Sequence, residues 1–177
     1  MCLKIKSGKH IATKDFYTFK SLKLSQNGKL ESTIMGTRYI LNKLYKSRIS
    51  KEISSYNNSI GRGIHSCLLS NEYFVSWINK INFSYYNNNR VIVLCKIPKG
   101  STFYIGDVGD IVSNTLIVKE IIAYSEIDIN LGYHSKKFKD SIYIFRNHYG
   151  YNSDSLRKML LKTAPSWGLE FKPQFKK

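Results

Sequence analysis

The stretch from residue 90 to residue 124, RVIVLCKIPKGSTFYIGDVGDIVSNTLIVKEIIAY, decides the fold that we expect. It opens with Arg90–Ile97, a continuous apolar run rich in β-branched residues, which is typical of a strand buried on both faces. The Pro-Lys-Gly sequence that follows predicts a turn. Further strands are expected at STFYIG and NTLIVKEIIAY, on either side of GDVGD. The region therefore predicts a sheet with Arg90–Ile97 as a central strand.

A hairpin is expected upstream of this region. Residues Phe16–Leu24 have apolar or aromatic side chains at alternate positions, and Asn27-Gly28 supplies the positive φ angles that tight hairpin turns need. The chain resumes as a strand at Leu30. TRYILNKLYKSRI, residues 37–49, is ambiguous between a strand and a short helix, and we favour a strand at its start. Near the C-terminus, DSIYIFRN predicts one more strand.

Two segments predict helices. In SNEYFVSWINKINF, residues 70–83, apolar and aromatic side chains recur at helical spacing on one face, and Ser70 can cap the first turn. SDSLRKMLLKT, residues 153–163, predicts a short helix capped by Ser153. The expected fold is therefore α+β in a single domain spanning residues 1–177. It has a largely antiparallel, possibly split β-sheet, one central amphipathic helix and a short C-terminal helix.

The sequence IGRGIHSC, residues 60–67, crowds two glycines, a histidine and a thiol together. The glycines predict a bend, and the alternation after them predicts a strand with His65 and Cys67 on one face. Residues two apart on a strand lie roughly 7 Å apart, so a direct Cys–His ion pair is not expected. Two interpretations of His65 stay open: an acid/base group in a cleft, or a half-buried histidine hydrogen-bonded to a carbonyl group.

Acidic side chains offer two further candidates. Asp107 and Asp110 in GDVGD could bind a cation, but the spacing of a calcium loop is absent and a hairpin turn is favoured. Glu120 lies within an apolar strand and is either exposed at an edge or a catalytic acid. The sequence contains no phosphate-binding glycine loop, no dinucleotide fingerprint and no nucleophile elbow.

The net charge of +16 is concentrated at the two ends of the chain. Residues 1–51 hold 12 basic and 2 acidic residues, and residues 134–177 hold 10 and 3. This distribution predicts attraction to a polyanion, with a solvated lysine-rich surface as the alternative. Lysine outnumbers arginine, which favours non-specific electrostatic binding over base recognition. The candidate binding residues are Lys4, Lys6, Lys9, Arg38, Lys43, Lys46, Arg48, Lys136, Lys137, Lys139, Arg157 and Lys158.

The cysteines Cys2, Cys67 and Cys95 are odd in number and lack paired spacing, which indicates reduced thiols in a cytoplasmic protein. No CxxC or HxxxH pattern occurs, so no metal site is predicted. We find no secretory signal and no apolar run long enough to span a bilayer, and we therefore expect no membrane partner.

The motifs FYTFKSL, GIHSCLLSNEYF and CKIPKGSTFYIGDVGDIVSNTLIVKEII occur in this order within residues 15–124. With them the chain resembles a group of uncharacterised proteins encoded by phages and gut bacteria. The order of elements is more distantly similar to that of ADP-ribosyltransferases, which place a basic residue on a first strand, a polar motif before a helix and a glutamate on a later strand. This second resemblance implies NAD as the cofactor. It also implies a catalytic set of Lys20, His65 or Ser66, and Glu120.

The leading function hypothesis is a small, basic, phage-type accessory protein without catalytic activity or cofactor. It would bind an anionic partner, either nucleic acid or an acidic protein assembly such as a capsid, in the host cytoplasm or the virion. Two alternatives remain: an NAD-dependent enzyme of the ADP-ribosyltransferase type, and a virion decoration protein.

Overall fold

The computed structural model describes residues 3–4, 8–25, 28–32, 35–54, 57–68, 90–107, 109–125, 143–145, 162 and 164–176. These residues form β-strands and a short 3-10 helix at Ala164–Trp167. The strands are β1 (Leu3–Lys4), β2 (His10–Ala12), β3 (Phe16–Leu24), β4 (Leu30–Ser32), β5 (Arg38–Tyr39), β6 (Leu44–Lys46), β7 (Ser50–Ser54), β8 (Asn57–Arg62), β9 (Ile64–Cys67), β10 (Arg90–Ile97), β11 (Thr102–Ile105), β12 (Asp110–Ser113), β13 (Thr115–Ser125), β14 (Tyr143–Phe145) and β15 (Phe175–Lys176).

Twelve of these strands form one sheet that curls into a half-barrel. Its main path runs β14-β13-β10-β3-β9-β12-β11-β2-β15, with β4 and β5 attached beside β3 and β6 attached beside β13. Neighbouring strands are antiparallel except for β13 and β14, which are parallel. A smaller antiparallel sheet has the order β1-β8-β7.

The central strand is β10, as its apolar run predicts. It pairs with β3 from Arg90 to Ile97 on one edge and with β13 on the other. Val91, Val93 and Cys95 are buried on one face. Ile92 and Leu94 are buried on the opposite face. Because both faces of this strand are covered, apolar side chains are favoured at successive positions rather than at alternate ones.

One face of the curled sheet holds the larger core. On β3 this core includes Phe16, Leu22 and Leu24, which alternate along the strand and face the same side. Burying each large apolar side chain stabilises the fold by roughly 1.5–3 kcal/mol. The opposite face of β3 is covered in part by Phe171, whose ring stacks on Phe19 with 5.5 Å between the ring centroids.

Both predicted hairpins are confirmed. Leu24 pairs with Leu30 across the first hairpin, and Gly28 has a φ of 75°. In the second, β11 and β12 pair around the GDVGD sequence, where the Gly106 N–H donates to the Asp110 carbonyl oxygen. The aspartates of GDVGD therefore belong to a hairpin connection.

The prediction of an α+β fold is wrong. The described structure is nearly all antiparallel sheet, and none of the described residues forms a central amphipathic helix. The helix predicted over residues 70–83 lies outside the described residues, as does the C-terminal one except for Lys162. The apolar residues of the described core lie mainly on paired strands, where residues at alternate positions face the same side of the sheet.

Candidate functional site

Lys20 lies on β3 at a break in the strand pairing of the sheet. One edge of β3 pairs with β10 from Phe16 to Lys23. The other edge pairs with β9 only at Phe19, opposite Cys67, and then with β4 from Leu22 onward. Lys20 lies between these two pairings, where β9 separates from β3. Its backbone therefore stands at the point where one neighbouring strand replaces another.

The Lys20 side chain points into the larger core. It is only 8% exposed, and its Nζ donates a hydrogen bond of 2.7 Å to the His65 carbonyl oxygen. The same atom lies 5.8 Å from the centre of the Tyr39 ring. Burial lowers the pKa of Lys20, and the neighbouring thiols of Cys95 and Cys67 offset this lowering in part. A cation in such surroundings costs folding free energy unless something compensates it.

Two buried hydroxyl groups accompany this amine. Thr18 lies two residues before Lys20 on β3 and faces the same side. Ser66 precedes Cys67 on β9 and stands opposite Lys20 if the register of the Phe19–Cys67 pair is continued. Among the described residues, neither Thr18 Oγ1 nor Ser66 Oγ has a hydrogen-bond partner. Buried hydroxyls in folded proteins are nearly always paired. We refer to Thr18, Lys20 and Ser66 as the Lys20 cluster.

The two described thiols lie close to this cluster and are unreactive. Cys67 and Cys95 are buried and free of disulfides. Burial raises the pKa of Cys95 to about 12 and raises that of Cys67 well above its ordinary value. Cys67 Sγ also donates to the Phe19 carbonyl oxygen at 3.4 Å. Since the thiolate is the nucleophile, neither residue has the surroundings of a catalytic cysteine.

His65 pairs with Val112 in the register of β9 and β12, and its neighbours on the strand, Ile64 and Ser66, face the core instead. Burial and, second, the charge of Lys20 lower the pKa of His65 to about 4, although a hydrogen bond with the Gly61 backbone acts in the opposite direction. This geometry favours the half-buried, hydrogen-bonded histidine over the acid/base group.

Glu120 does not lie beside Lys20. Lys20 is in register with Val93 of β10, which is in register with Ile121 of β13. Glu120 belongs to the next row, and adjacent residues on a strand face opposite sides of a sheet. The described structure therefore brings Lys20 and the His65 backbone together and places the Glu120 side chain on the other face. The three residues do not line one cleft.

The candidate binding residues fall into four groups. Arg38, Lys43, Lys46 and Arg48 are exposed within one stretch of the chain. Lys9 is exposed beside β2, near the far end of the main strand order. Lys4 lies in β1, but its side chain is outside the described part of the protein. The others lie outside the described residues altogether: Lys6, Lys136, Lys137, Lys139, Arg157 and Lys158.

Sequence analysis missed the apolar component of the Arg38–Arg48 stretch. Met35, Ile40, Leu41 and Leu44 are large aliphatic side chains between 37% and 79% exposed. We call residues 35–48 the basic-aliphatic segment. The sequence does indicate the location of this segment through its charge, because no acidic residue occurs between Glu31 and Glu52.

No protein-family model, curated protein or solved structure matches this chain. The resemblances to phage-encoded proteins and to ADP-ribosyltransferases therefore stay predictions. Within the residues that the structure describes, nothing supports a phage or virion origin or nucleic-acid binding. The same residues contain no group of three or more His, Cys, Asp or Glu side chains that could hold a metal ion. No helix among them is both long and apolar enough to cross a membrane.

Replacing Lys20 by methionine is expected to increase the free energy of unfolding by about 1–3 kcal/mol at pH 7, because it removes a buried charge and keeps most of the side-chain volume. Lys20 has a lowered pKa in the folded state. Between that pKa and 10.5 the unfolded chain binds more protons than the folded one, so wild-type stability rises with pH and the advantage of Lys20→Met shrinks. Urea denaturation at several pH values measures this difference.

The exposed Lys29 provides the matched control. Lys29→Met makes the same chemical change at the surface and is expected to alter stability by less than about 0.5 kcal/mol. A Lys20→Met variant less stable than wild type at pH 7 would show that the ammonium group is fully compensated in the fold.

Proposed function

We propose that this protein is a non-catalytic binding protein whose basic-aliphatic segment docks on an acidic protein surface. The observation that carries this proposal is the exposure of basic and aliphatic side chains together on residues 35–48. Three properties of that segment support the proposal: its charge, its fixed conformation and its apolar content.

The charge of the segment is almost uncompensated. Arg38 pairs with Glu31 at 3.2 Å, and this is the only ion pair that the segment makes within the described residues. Lys119 Nζ donates to the Asn42 side-chain oxygen, which adds a further cation beside the segment. Exposed cations of this density attract an anionic partner and accelerate its association.

The segment is held in place by aromatic anchors. The Tyr39 and Tyr45 rings pack with 4.7 Å between their centroids, and the Ile40 N–H donates to the Tyr45 hydroxyl at 2.6 Å. The Asn42 N–H also donates to the Val118 carbonyl oxygen of β13 at 2.7 Å. A surface fixed before binding loses less conformational entropy on association.

The aliphatic side chains favour a protein partner over a nucleic acid. Single-stranded nucleic acids gain affinity by stacking bases on aromatic rings, whereas protein interfaces bury aliphatic side chains at their centre. Met35, Ile40, Leu41 and Leu44 supply such an apolar centre, and the cations around it match an acidic rim. A group of exposed aliphatic residues of this kind marks an interaction surface.

The test compares three labelled probes: a peptide that alternates Glu and Leu, poly-glutamate and single-stranded DNA. Fluorescence anisotropy is expected to show the Glu-Leu peptide binding most tightly, with an affinity that falls as salt is added. Lys43→Glu/Lys46→Glu is expected to weaken binding by about tenfold or more through charge reversal. Ile40→Ser/Leu41→Ser is expected to weaken binding of the Glu-Leu peptide while leaving poly-glutamate unchanged.

Lys9→Glu/Lys14→Glu is the matched control, because both lysines are exposed, lie outside the segment and change the net charge by the same amount. An equal loss in this control would assign binding to net charge and overturn the role of the segment. Absence of peptide binding at low salt would overturn the proposal altogether. Tighter binding of DNA than of the peptide would replace the acidic protein by a nucleic acid.

A further inference from the structure

The Lys20 cluster consists of hydrogen-bond donors held in an apolar interior. Lys20 is 8% exposed, and Thr18 and Ser66 are more deeply buried still. From this arrangement we propose that the face of the curled sheet that holds the larger core binds the carboxylate of an apolar monocarboxylic acid at Thr18, Lys20 and Ser66. This site is separate from the basic-aliphatic segment and does not depend on the proposed function.

The donors of the cluster call for an anionic oxygen ligand. The Lys20 ammonium group has three N–H donors, and the described residues provide one acceptor, the His65 carbonyl oxygen. The described ion pairs are Arg38 with Glu31 and Lys96 with Asp15, so neither includes Lys20. The two hydroxyls can each donate one further hydrogen bond. A carboxylate, which only accepts, would receive bonds from all three groups.

The single positive charge selects the ligand class. A carboxylate would neutralise Lys20 completely, whereas a phosphate dianion would leave one negative charge uncompensated among buried apolar groups. Val93, the register partner of Lys20, and Leu22 and Ile64, which flank the cluster on the same side, are buried aliphatic residues of the core. Sites with apolar walls and a few converging polar groups are typical of small organic ligands. The body of the acid is therefore aliphatic or aromatic.

The position of the cluster explains why these groups are together. Where β9 leaves β3, the backbone ladder between them stops after the Phe19–Cys67 pair. The Lys20 ammonium group donates a hydrogen bond to the His65 carbonyl oxygen, which lies where the backbone pairing of β9 with β3 has stopped. Buried polar groups that lack partners lower stability, and proteins retain such features mainly where they bind or react.

The experiment titrates the full-length protein with decanoate, decan-1-ol and decyl phosphate by isothermal calorimetry at pH 7. We expect saturable binding of decanoate, at least about tenfold tighter than that of the alcohol or the phosphate, because charge-assisted hydrogen bonds require the carboxylate and a second negative charge would be unpaired. Lys20→Met is expected to lower the affinity for decanoate by about tenfold or more. Thr18→Val and Ser66→Ala are each expected to lower it by roughly three- to tenfold.

Two controls separate this site from general attraction to a basic protein. Lys29→Met removes an exposed lysine and is expected to leave decanoate binding unchanged, and Lys43→Met tests the basic-aliphatic segment in the same way. Circular dichroism checks that each variant retains its β-structure. If Lys20→Met fails to fold, Thr18→Val/Ser66→Ala decides the question. The proposal is overturned if decanoate does not bind wild-type protein, or if a folded variant of the cluster binds it as tightly.

Discussion

A Gly63→Ala variant is expected to lose about 2–5 kcal/mol of unfolding free energy, because the change combines backbone strain with overpacking. Gly63 lies between β8 and β9 with a φ of 144°, a conformation that residues with a Cβ rarely adopt. A Cβ at this position would overlap Cγ1 of Val112, a fully buried side chain on β12. Since single domains are stable by only about 5–15 kcal/mol, urea denaturation should show a large fall in the midpoint.

Two other glycines separate strain from overlap. Gly100 has a φ of 83° and open space at the Cβ position, so Gly100→Ala reports strain alone and is expected to cost about 1 kcal/mol. Gly8 has open space and no positive φ, so Gly8→Ala should be close to neutral. Adding Val112→Ala to Gly63→Ala removes the overlapping methyl group and should recover part of the loss. A Gly63→Ala variant no less stable than Gly100→Ala would contradict the overlap.

The strands were predictable wherever burial leaves a local pattern. Val91–Cys95 is apolar without interruption because both strands beside β10 are long and both faces of β10 are covered. The first hairpin is predictable from Asn27-Gly28, since the positive φ at Gly28 is a local requirement of the turn. The glycine bend before His65 was predictable in the same way, although its contact with Val112 depends on long-range pairing.

The Lys20 cluster shows which features local sequence patterns do not predict. Lys20 occurs at an inward position of β3, in phase with Phe16, Leu22 and Leu24, and a lysine in that phase was a detectable irregularity. Its meaning depends on β9 ending its pairing at Phe19, which no local rule predicts. The separation of Lys20 from Glu120 likewise follows from the register of three strands. Registers are set by contacts between distant parts of the chain, so the sequence could suggest the residues but not their faces.

The exposed aliphatic side chains of residues 35–48 were unpredictable for a related reason. Alternating apolar residues normally predict a buried face, and whether a partner strand covers them depends on the rest of the sheet. Here Ile40 and Leu41 lie in the connection between β5 and β6, and Leu44 lies on β6, which pairs with β13 at one edge, and all three side chains are exposed.

Acidification from pH 7 to pH 4 is expected to remove about 3 kcal/mol of unfolding free energy through His65 alone, since its pKa falls from 6.5 to about 4 on folding. Between these two pH values the unfolded chain binds a proton that the folded chain does not, so unfolding is favoured as the pH falls. The contribution is fully present above pH 6.5 and is lost as the pH approaches 4. Asp15 has a lowered pKa of its own, caused first by its hydrogen bond with Lys96, so its contribution to stability is lost mainly as the pH falls below its ordinary pKa of 3.8.

Two substitutions assign this loss to its causes. His65→Gln cannot be protonated, so its stability should stay nearly level between pH 6.5 and pH 4, where wild type declines. Lys20→Met removes the charge that is the second cause of the lowered pKa and leaves the burial of the imidazole, which is the first. The pKa of His65 in this variant should therefore lie between about 4 and 6.5, with a correspondingly smaller loss on acidification. NMR titration of the His65 ring measures that pKa directly. A value near 6.5 in wild type would mean that the ring is solvated and would remove the acid sensitivity attributed to it.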